Sequence, residues 1–184
     1  MILRTERLDL IPGTIPIVDA ALAGRAELAE ALGATVPASW PPEFLDDAAF
    51  AWIRGKLGEP ETSDPAWWMY FVVARDPDGC VLVGTGGYKG APDATGTVEI
   101  GYGIVADRRR CGLASETARA LIAQAFADPR VNRVIAETLP ELEGSLGVLR
   151  VCGFLPTDGA SEPGTLRFEL GRDAWARHPG PSGE

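Results

Sequence analysis

Histidine is almost absent from this 184-residue chain, which has only His178. Cysteine is scarce as well: Cys80, Cys111 and Cys152 are far apart, and none belongs to a Cys-x-x-Cys pair. These two shortages exclude a zinc site built from Cys and His. An odd, scattered set of thiols also suits a reducing cytoplasm better than a disulfide framework. No run of 18 or more apolar residues occurs, so no membrane span is expected. The opening Met1-Ile2-Leu3-Arg4-Thr5-Glu6-Arg7 is charged and has no apolar signal core, so no secretion signal is expected either. No Gly-Lys-Ser/Thr closes a phosphate loop, which removes a nucleoside-triphosphate enzyme of the P-loop type. Positive charge is in deficit: the formal net charge is −9. That is the reverse of a nucleic-acid binder's electrostatic footprint, and it mildly favours cationic partners such as amines.

What remains is ordinary globular material, 46% apolar and 23% charged, enough for one domain with a full core. Residues 1–175 read as that domain, and 176–184 (with His178, Pro179 and Pro181) as a disordered tail. Weak alternation over 2–11 predicts a first strand. Residues 14–32, rich in Ala, Leu and Glu, predict a helix broken at Gly24. Asp46 is a good N-cap for a helix through Leu57 with Phe50 and Ile53 on its apolar face. Three successive strands follow, Trp67–Ala74, Cys80–Tyr88 and Thr97–Val105, joined by short turns as in an antiparallel meander. A helix over Gly112–Ala127 stops at Asp128-Pro129. Then come a strand at Arg133–Thr138, a helix at Ser145–Cys152 capped by Gly153, and a strand at Thr165–Leu170. The pattern predicts an α+β, or mixed α/β, fold with a mostly antiparallel central sheet flanked by helices.

The most informative stretch is Arg109-Arg110-Cys111-Gly112-Leu113-Ala114. It lies between a strand and a helix. A helix N-terminus offers backbone N–H groups without partners and a partial positive charge, which together suit a phosphate or pyrophosphate. Arginine adds planar donors of permanent charge. Arg108 reads as a solvated turn residue, whereas Arg109 has the better register with Gly112. On an acidic chain, three adjacent arginines are a local reversal of charge.

Five glycines occupy two neighbouring strands: Gly84, Gly86 and Gly87 in one, Gly101 and Gly103 in the next. Strand interiors ordinarily avoid glycine. A period of two puts Val98, Ile100, Tyr102 and Ile104 on one face and Glu99, Gly101 and Gly103 on the other. Two readings follow. The glycines form a bare backbone floor on which a long ligand lies, or they mark bulges and tight packing beneath a helix. Glu99 stands at the near end of this face.

These segments resemble the GNAT acetyltransferases, in particular the branch of ribosomal-protein N-terminal acetyltransferases. The family's Arg/Gln-x-x-Gly-x-Gly/Ala signature is matched by Arg109 to Ala114, continued by Ser115-Glu116. Thr5 to Leu10, Gly84-Thr85-Gly86-Gly87 and Val98 to Tyr102 are similar to three of the branch's strands. Ser145-x-x-Val148-Leu149-x-x-x-Gly153-Phe154 is similar to its last helix and strand. The resemblance spans roughly residues 2–171. It implies a GNAT-like fold, acetyl-CoA as donor and an amine as acceptor. It also implies that Arg109, Arg110, Cys111, Gly112, Leu113, Ala114 and Ser115 hold the pyrophosphate. Ile104 and Val105 would then pair by backbone with the pantetheine arm. Two family features are missing: Leu142 stands where Asn is common, and no tyrosine follows Tyr102 to serve the departing thiolate. Ser145 or a water takes that role by default.

An ammonium must lose its proton before it can attack a thioester, and Glu99 is the expected base, acting directly or through a water. A backbone N–H near Val105 is the expected oxyanion donor. Cys111 as a nucleophile lacks a histidine to serve it. Trp40, Trp67, Trp68 and Tyr70 are candidates to line the acceptor pocket, one or two of them at most. The rival class is a non-catalytic module that binds acyl-CoA. The acceptor and the oligomeric state, monomer or homodimer, are open.

Overall fold

The computed structural model describes residues 1–177. Of the expected tail 176–184, residues 176 and 177 close the last helix instead, and the residues from His178 onward lie outside the described residues. One mixed sheet of eight strands runs β1-β2-β3-β4-β5-β6-β8-β7, where β1 is Leu3–Arg4, β2 Leu8–Pro12, β3 Met69–Asp76, β4 Gly79–Tyr88, β5 Thr97–Ile104, β6 Arg133–Thr138, β7 Leu155–Thr157 and β8 Leu166–Gly171. All neighbours are antiparallel except β5 and β6. That parallel pair needs a crossover, which helix α4 (Leu113–Ala127) supplies. Helices α1 (Ile15–Ala23), α2 (Arg25–Leu32) and α3 (Asp47–Gly58) precede the central strands; α5 (Glu143–Val151) and α6 (Arg172–Arg177) follow β6 and β8.

The core has two layers because β3 is buried on both faces. Tyr70, Val72 and Ala74 join one cluster with Ala118, Leu121, Ile122 and Ala125, the fully buried stripe of α4. Met69, Phe71 and Val73 join the other with Val18, Leu28, Phe50 and Ile53 of the first three helices. Each large apolar side chain taken out of water in these layers contributes about 1.5–3 kcal/mol.

Several expectations shift at this level. The first strand is two, because Thr5 breaks it: the Thr5 amide donates to the Leu8 carbonyl at 2.9 Å, closing a tight turn between β1 and β2. The helix of residues 14–32 divides at Gly24, whose φ of 147° only glycine adopts readily. Asp46 caps α3 as expected, accepting from the Ala49 amide at 2.9 Å. Trp67 ends a 3₁₀ turn instead of opening β3, and the helix expected from Ser145 begins two residues earlier, at Glu143. α6 has no counterpart among the expected elements, and β7 is foreshadowed only by the family resemblance at Gly153-Phe154. Arg172 fixes α6, donating to the carbonyls of Phe126, Asp128 and Val131 around the C-terminal end of α4.

The feature that shapes the site is a divergence. β5 pairs with β6 only over Thr97, Val98 and Glu99, opposite Arg133, Val134 and Ile135. Beyond Glu99, β5 stays with β4 through Ile104, while β6 stays with β8 through Thr138. Among the described residues, the edge of β5 from Ile100 onward therefore faces no strand. Such an edge keeps backbone donors and acceptors free for an extended partner.

Candidate active site

The chain leaves β5 through a 3₁₀ turn at Ala106–Arg108 and enters α4 through Arg109 to Gly112. Arg110 and Gly112 both have left-handed backbone, with φ of 61° and 80°. For glycine this is free, but for Arg110 it costs about 1–2 kcal/mol, a strain of the kind stored at ligand-binding turns. Left-handed residues in such a turn aim neighbouring N–H groups to one side and create an anion-binding concavity. The α4 N-terminus has no side-chain cap, so its amides remain available.

Contacts from far along the chain hold the turn. Arg7 donates to Glu116 at 2.7 Å and to the Cys111 carbonyl at 3.0 Å, and its own amide reaches Glu116 at 2.8 Å. The Thr5 hydroxyl donates to the same carboxylate at 2.5 Å. Burial alone would raise the Glu116 carboxyl, but the Thr5 hydroxyl and Arg7 hold it below its ordinary value. The arginines of the turn are also engaged. Arg109 donates from Nε to the Ile104 carbonyl at 3.0 Å and pairs with Glu43 at 3.2 Å. Arg108 is not simply solvated: it pairs with Asp76 at 2.9 Å and borders the cleft beside the turn.

That cleft, about 720 Å³, lies between the free edge of β5, the turn and the start of α5. Ile104, Arg109, Arg110, Gly112, Leu113, Ala114, Ser115 and Ser145 all border it, so the structure gathers most of the expected residues in one place. Cys111 is exposed but does not border it; its Sγ–H donates to the Arg109 carbonyl at 3.3 Å. Val105 is placed differently from expectation. It is fully buried, and its N–H is committed to the Val83 carbonyl at 3.0 Å, so that N–H cannot serve a ligand or an oxyanion.

A second, smaller space of about 320 Å³ lies over β4 and β5, walled by α3 and the loop before it. Pro42, Glu43, Phe44, Tyr102 and Gly103 border both spaces and mark their junction. Of the four aromatic candidates to line an acceptor pocket, one or two of them at most, none borders either space. Trp40, Trp67, Trp68 and Tyr70 are all core residues, and Phe44 and Trp52 line the small pocket instead.

The glycines split between the two readings. A Cβ on Gly84 would overlap the Gly103 carbonyl oxygen, and one on Gly87 would overlap that of Trp68. A Cβ on Gly86 would meet Thr117 of α4 at 2.7 Å. Those three record close packing. Gly101 has nothing within 4 Å of a Cβ, and Gly103 meets only Pro42, at 3.4 Å. The bare floor is therefore the β5 pair alone.

Glu99 lies on this floor's face, one alternation before Gly101, with its side chain 17% exposed and ion-paired to Lys89. It borders neither space directly, whereas Lys89 borders the small pocket. Tyr102 points the other way from the floor, and its hydroxyl lies 3.5 Å from the Ser145 carbonyl oxygen on α5. Burial raises its phenol to about 12, partly offset by the contact with Ser145. Tyr102 thus crosses the cleft from β5 to the helix that lacks a tyrosine of its own. Among the described residues, no cluster of three or more His, Cys, Asp or Glu side chains could hold a metal ion. No described helix is long and apolar enough to cross a membrane.

Residues 19–155 match the family model described as acetyltransferase (GNAT) domain. The uncharacterized N-acetyltransferase YjdG of Bacillus subtilis is 29% identical over 163 residues, covering 88% of this chain and 94% of the relative. Among solved structures, the ribosomal-protein-S5-alanine acetyltransferase of Vibrio fischeri superposes with a TM-score of 0.65 at 18% identity, over 95% of this chain and 98% of that one. RimJ of Mycobacterium smegmatis, solved with a CoA disulfide, gives 0.60 at 19% identity, over 93% and 87%.

Proposed function

The chain belongs to the GNAT acetyltransferases and is an N-acetyltransferase; from that premise we propose that the acetyl group passes directly to a primary amine with both substrates bound. Acetyl-CoA supplies the activated acetyl group. The observation that carries the reading is the free edge of β5 leading into the left-handed turn at Arg110 and Gly112. An extended pantetheine suits the edge, and a pyrophosphate suits the amides from Arg110 to Ser115 beside Arg109. Gly103, which borders both spaces, and Gly101, which floors the small one, leave this face of β5 bare. The CoA bound to the M. smegmatis relative supports this use of the fold.

In this reading the amine enters from the small pocket and meets the acetyl carbonyl at the junction bordered by Tyr102 and Gly103. Its proton passes to Glu99 through water, since Glu99 shares the floor's face but does not border the pocket. The nitrogen then bonds to the carbonyl carbon, the carbon–sulfur bond breaks, and the second proton that nitrogen loses in forming the amide passes to solvent water. The sulfur leaves as thiolate, toward the hydroxyls of Tyr102 and Ser145. Because burial keeps the Tyr102 phenol neutral, it acts as a hydrogen-bond donor to the departing charge. A thiol of ordinary pKa, about 8.5, needs no full proton transfer to leave. The three free thiols agree with work in a reducing cytoplasm, and the net charge of −9 argues against nucleic acid as a partner.

A second assignment of the base has one observation in its favour: Glu43 borders both spaces, whereas Glu99 borders neither. Calorimetry with acetyl-CoA, combined with thiol release over a panel of amines, tests the function. Binding without turnover of any amine would make the chain a non-catalytic acyl-CoA module. The same assay on Glu99→Gln and Glu43→Gln assigns the base: the one that serves loses about 10²–10⁴-fold in the chemical step, and Glu99→Gln keeps its acetyl-CoA affinity because Glu99 does not border the cleft.

A further inference from the structure

The small pocket over β4 and β5 has a chemistry that its position alone does not explain. Its walls are apolar, with Leu45, Trp52, Ile53 and Met69 prominent, and its floor is backbone at Gly87 and Gly101. Phe44 and Trp52 are 81% and 53% exposed, and both border this space, Phe44 at its junction with the large cleft. Phe44 also holds a φ of 65°, a left-handed backbone rare for a bulky residue and commonest at functional sites. Trp52 is braced edge-on against Trp68, with ring centroids 5.4 Å apart. Exposed aromatics held in place around a concave space mark a surface kept for an apolar partner.

The charges narrow the partner further. Only one carboxylate, Glu43, and one ammonium, Lys89, border the pocket among the described residues. A polyamine or aminoglycoside brings several ammonium groups, each needing its own carboxylate once water is removed. This pocket offers one, already paired with Arg109, and the Lys89–Glu99 ion pair adds no net negative charge for the rest. At about 320 Å³, its volume lies at the small end of ligand sites.

We propose that the acceptor is a primary amine of one positive charge whose nitrogen is attached to an aliphatic or aromatic group, with Phe44 and Trp52 setting that preference. The inference rests on the acetyl-transfer reading above. The apolar group packs against Trp52 and Phe44, and the nitrogen lies toward Glu43 at the junction. A free apolar amine and a peptide with an apolar first residue share this chemistry.

The test measures thiol release with 2-phenylethylamine, isoamylamine, Phe- and Leu-initiated tripeptides, spermidine and kanamycin. Calorimetry of the same amines into CoA-loaded protein gives a readout independent of turnover. The apolar amines should exceed the polycations in kcat/KM by about tenfold or more, and the two apolar sets distinguish a free amine from a peptide. Because Trp52 borders only the small pocket, Trp52→Ala should raise their KM about tenfold while leaving acetyl-CoA affinity unchanged, and Phe44→Ala should raise the same KM. Equal or better use of spermidine or kanamycin would overturn the proposal. So would apolar KM values unmoved in both variants, or apolar amines that neither react nor bind although acetyl-CoA binds normally. Failure of acetyl-CoA itself to bind would instead remove the acetyl-transfer reading.

Discussion

Arg7 and Glu116, 109 residues apart, meet at 2.7 Å beneath the turn that opens α4. Arg7 also holds the Cys111 carbonyl of that turn, so a residue of the first hairpin braces the anion site without bordering the cleft. Arg7→Ala should weaken acetyl-CoA binding about tenfold, the equivalent of ~1.4 kcal/mol, measured by calorimetry. The pair also has a pH signature. The folded Glu116 carboxyl is held below its ordinary 4.5, so its stabilisation is complete above that value and is lost as pH falls through the lower folded value. The Tm difference between wild type and Glu116→Gln should be greatest near neutrality and shrink on the acid side. A difference independent of pH would contradict the pairing.

Two glycine substitutions should have opposite outcomes. Gly87→Ala forces a Cβ into the Trp68 carbonyl oxygen and should cost more than about 3 kcal/mol of stability. Gly101→Ala meets open space and should leave stability within about 1 kcal/mol. Because Gly101 floors the small pocket and not the large cleft, its alanine should raise the amine KM without changing acetyl-CoA affinity. Denaturant melts and steady-state kinetics on the two proteins decide.

Tyr102→Phe removes the hydroxyl that approaches Ser145 and keeps the ring packed against the core. Loss of one hydrogen bond to a developing charge should lower kcat about 10–100-fold and leave both binding constants alone. A full rate in this variant, with normal folding, assigns the thiolate to Ser145 or to water.

Thr117 is completely buried on α4, and its hydroxyl has no hydrogen-bond partner among the described residues. A buried hydroxyl without a partner costs roughly 1–3 kcal/mol. Thr117→Val should therefore raise stability by about 1 kcal/mol, read from the urea midpoint, with unchanged turnover.

The parts of the site that follow a simple period were legible in the chain. The alternation from Val98 to Ile104 gave the two faces of β5, and Arg109-x-x-Gly112-x-Ala114 gave the turn. What was not legible depends on distant partners. Nothing local tells an open glycine from a packed one: Gly101 and Gly87 differ only in what lies within 4 Å. Trp52 sits between Phe50 and Ile53, off the buried stripe of α3, so only the docking of that helix on β3 places its ring over the pocket. Phe44 lies in a proline-rich loop without periodicity. The Lys89–Glu99 pair depends on the β4–β5 loop, where the Asp93 carboxylate accepts from the Thr95 and Thr97 amides and sets the return of the chain. The four rejected aromatics follow a general rule: large rings belong first to the core, and Trp40, Trp67, Trp68 and Tyr70 are each less than a tenth exposed.

The central claim is direct transfer between two substrates held on either side of β5. Initial rates of thiol release over a grid of acetyl-CoA and amine concentrations test it most directly. Direct attack predicts intersecting double-reciprocal lines, and mass spectrometry of protein incubated with acetyl-CoA alone should find no acetyl on Cys111. Parallel lines together with an acetylated Cys111 would contradict it, because they are the signature of a covalent intermediate.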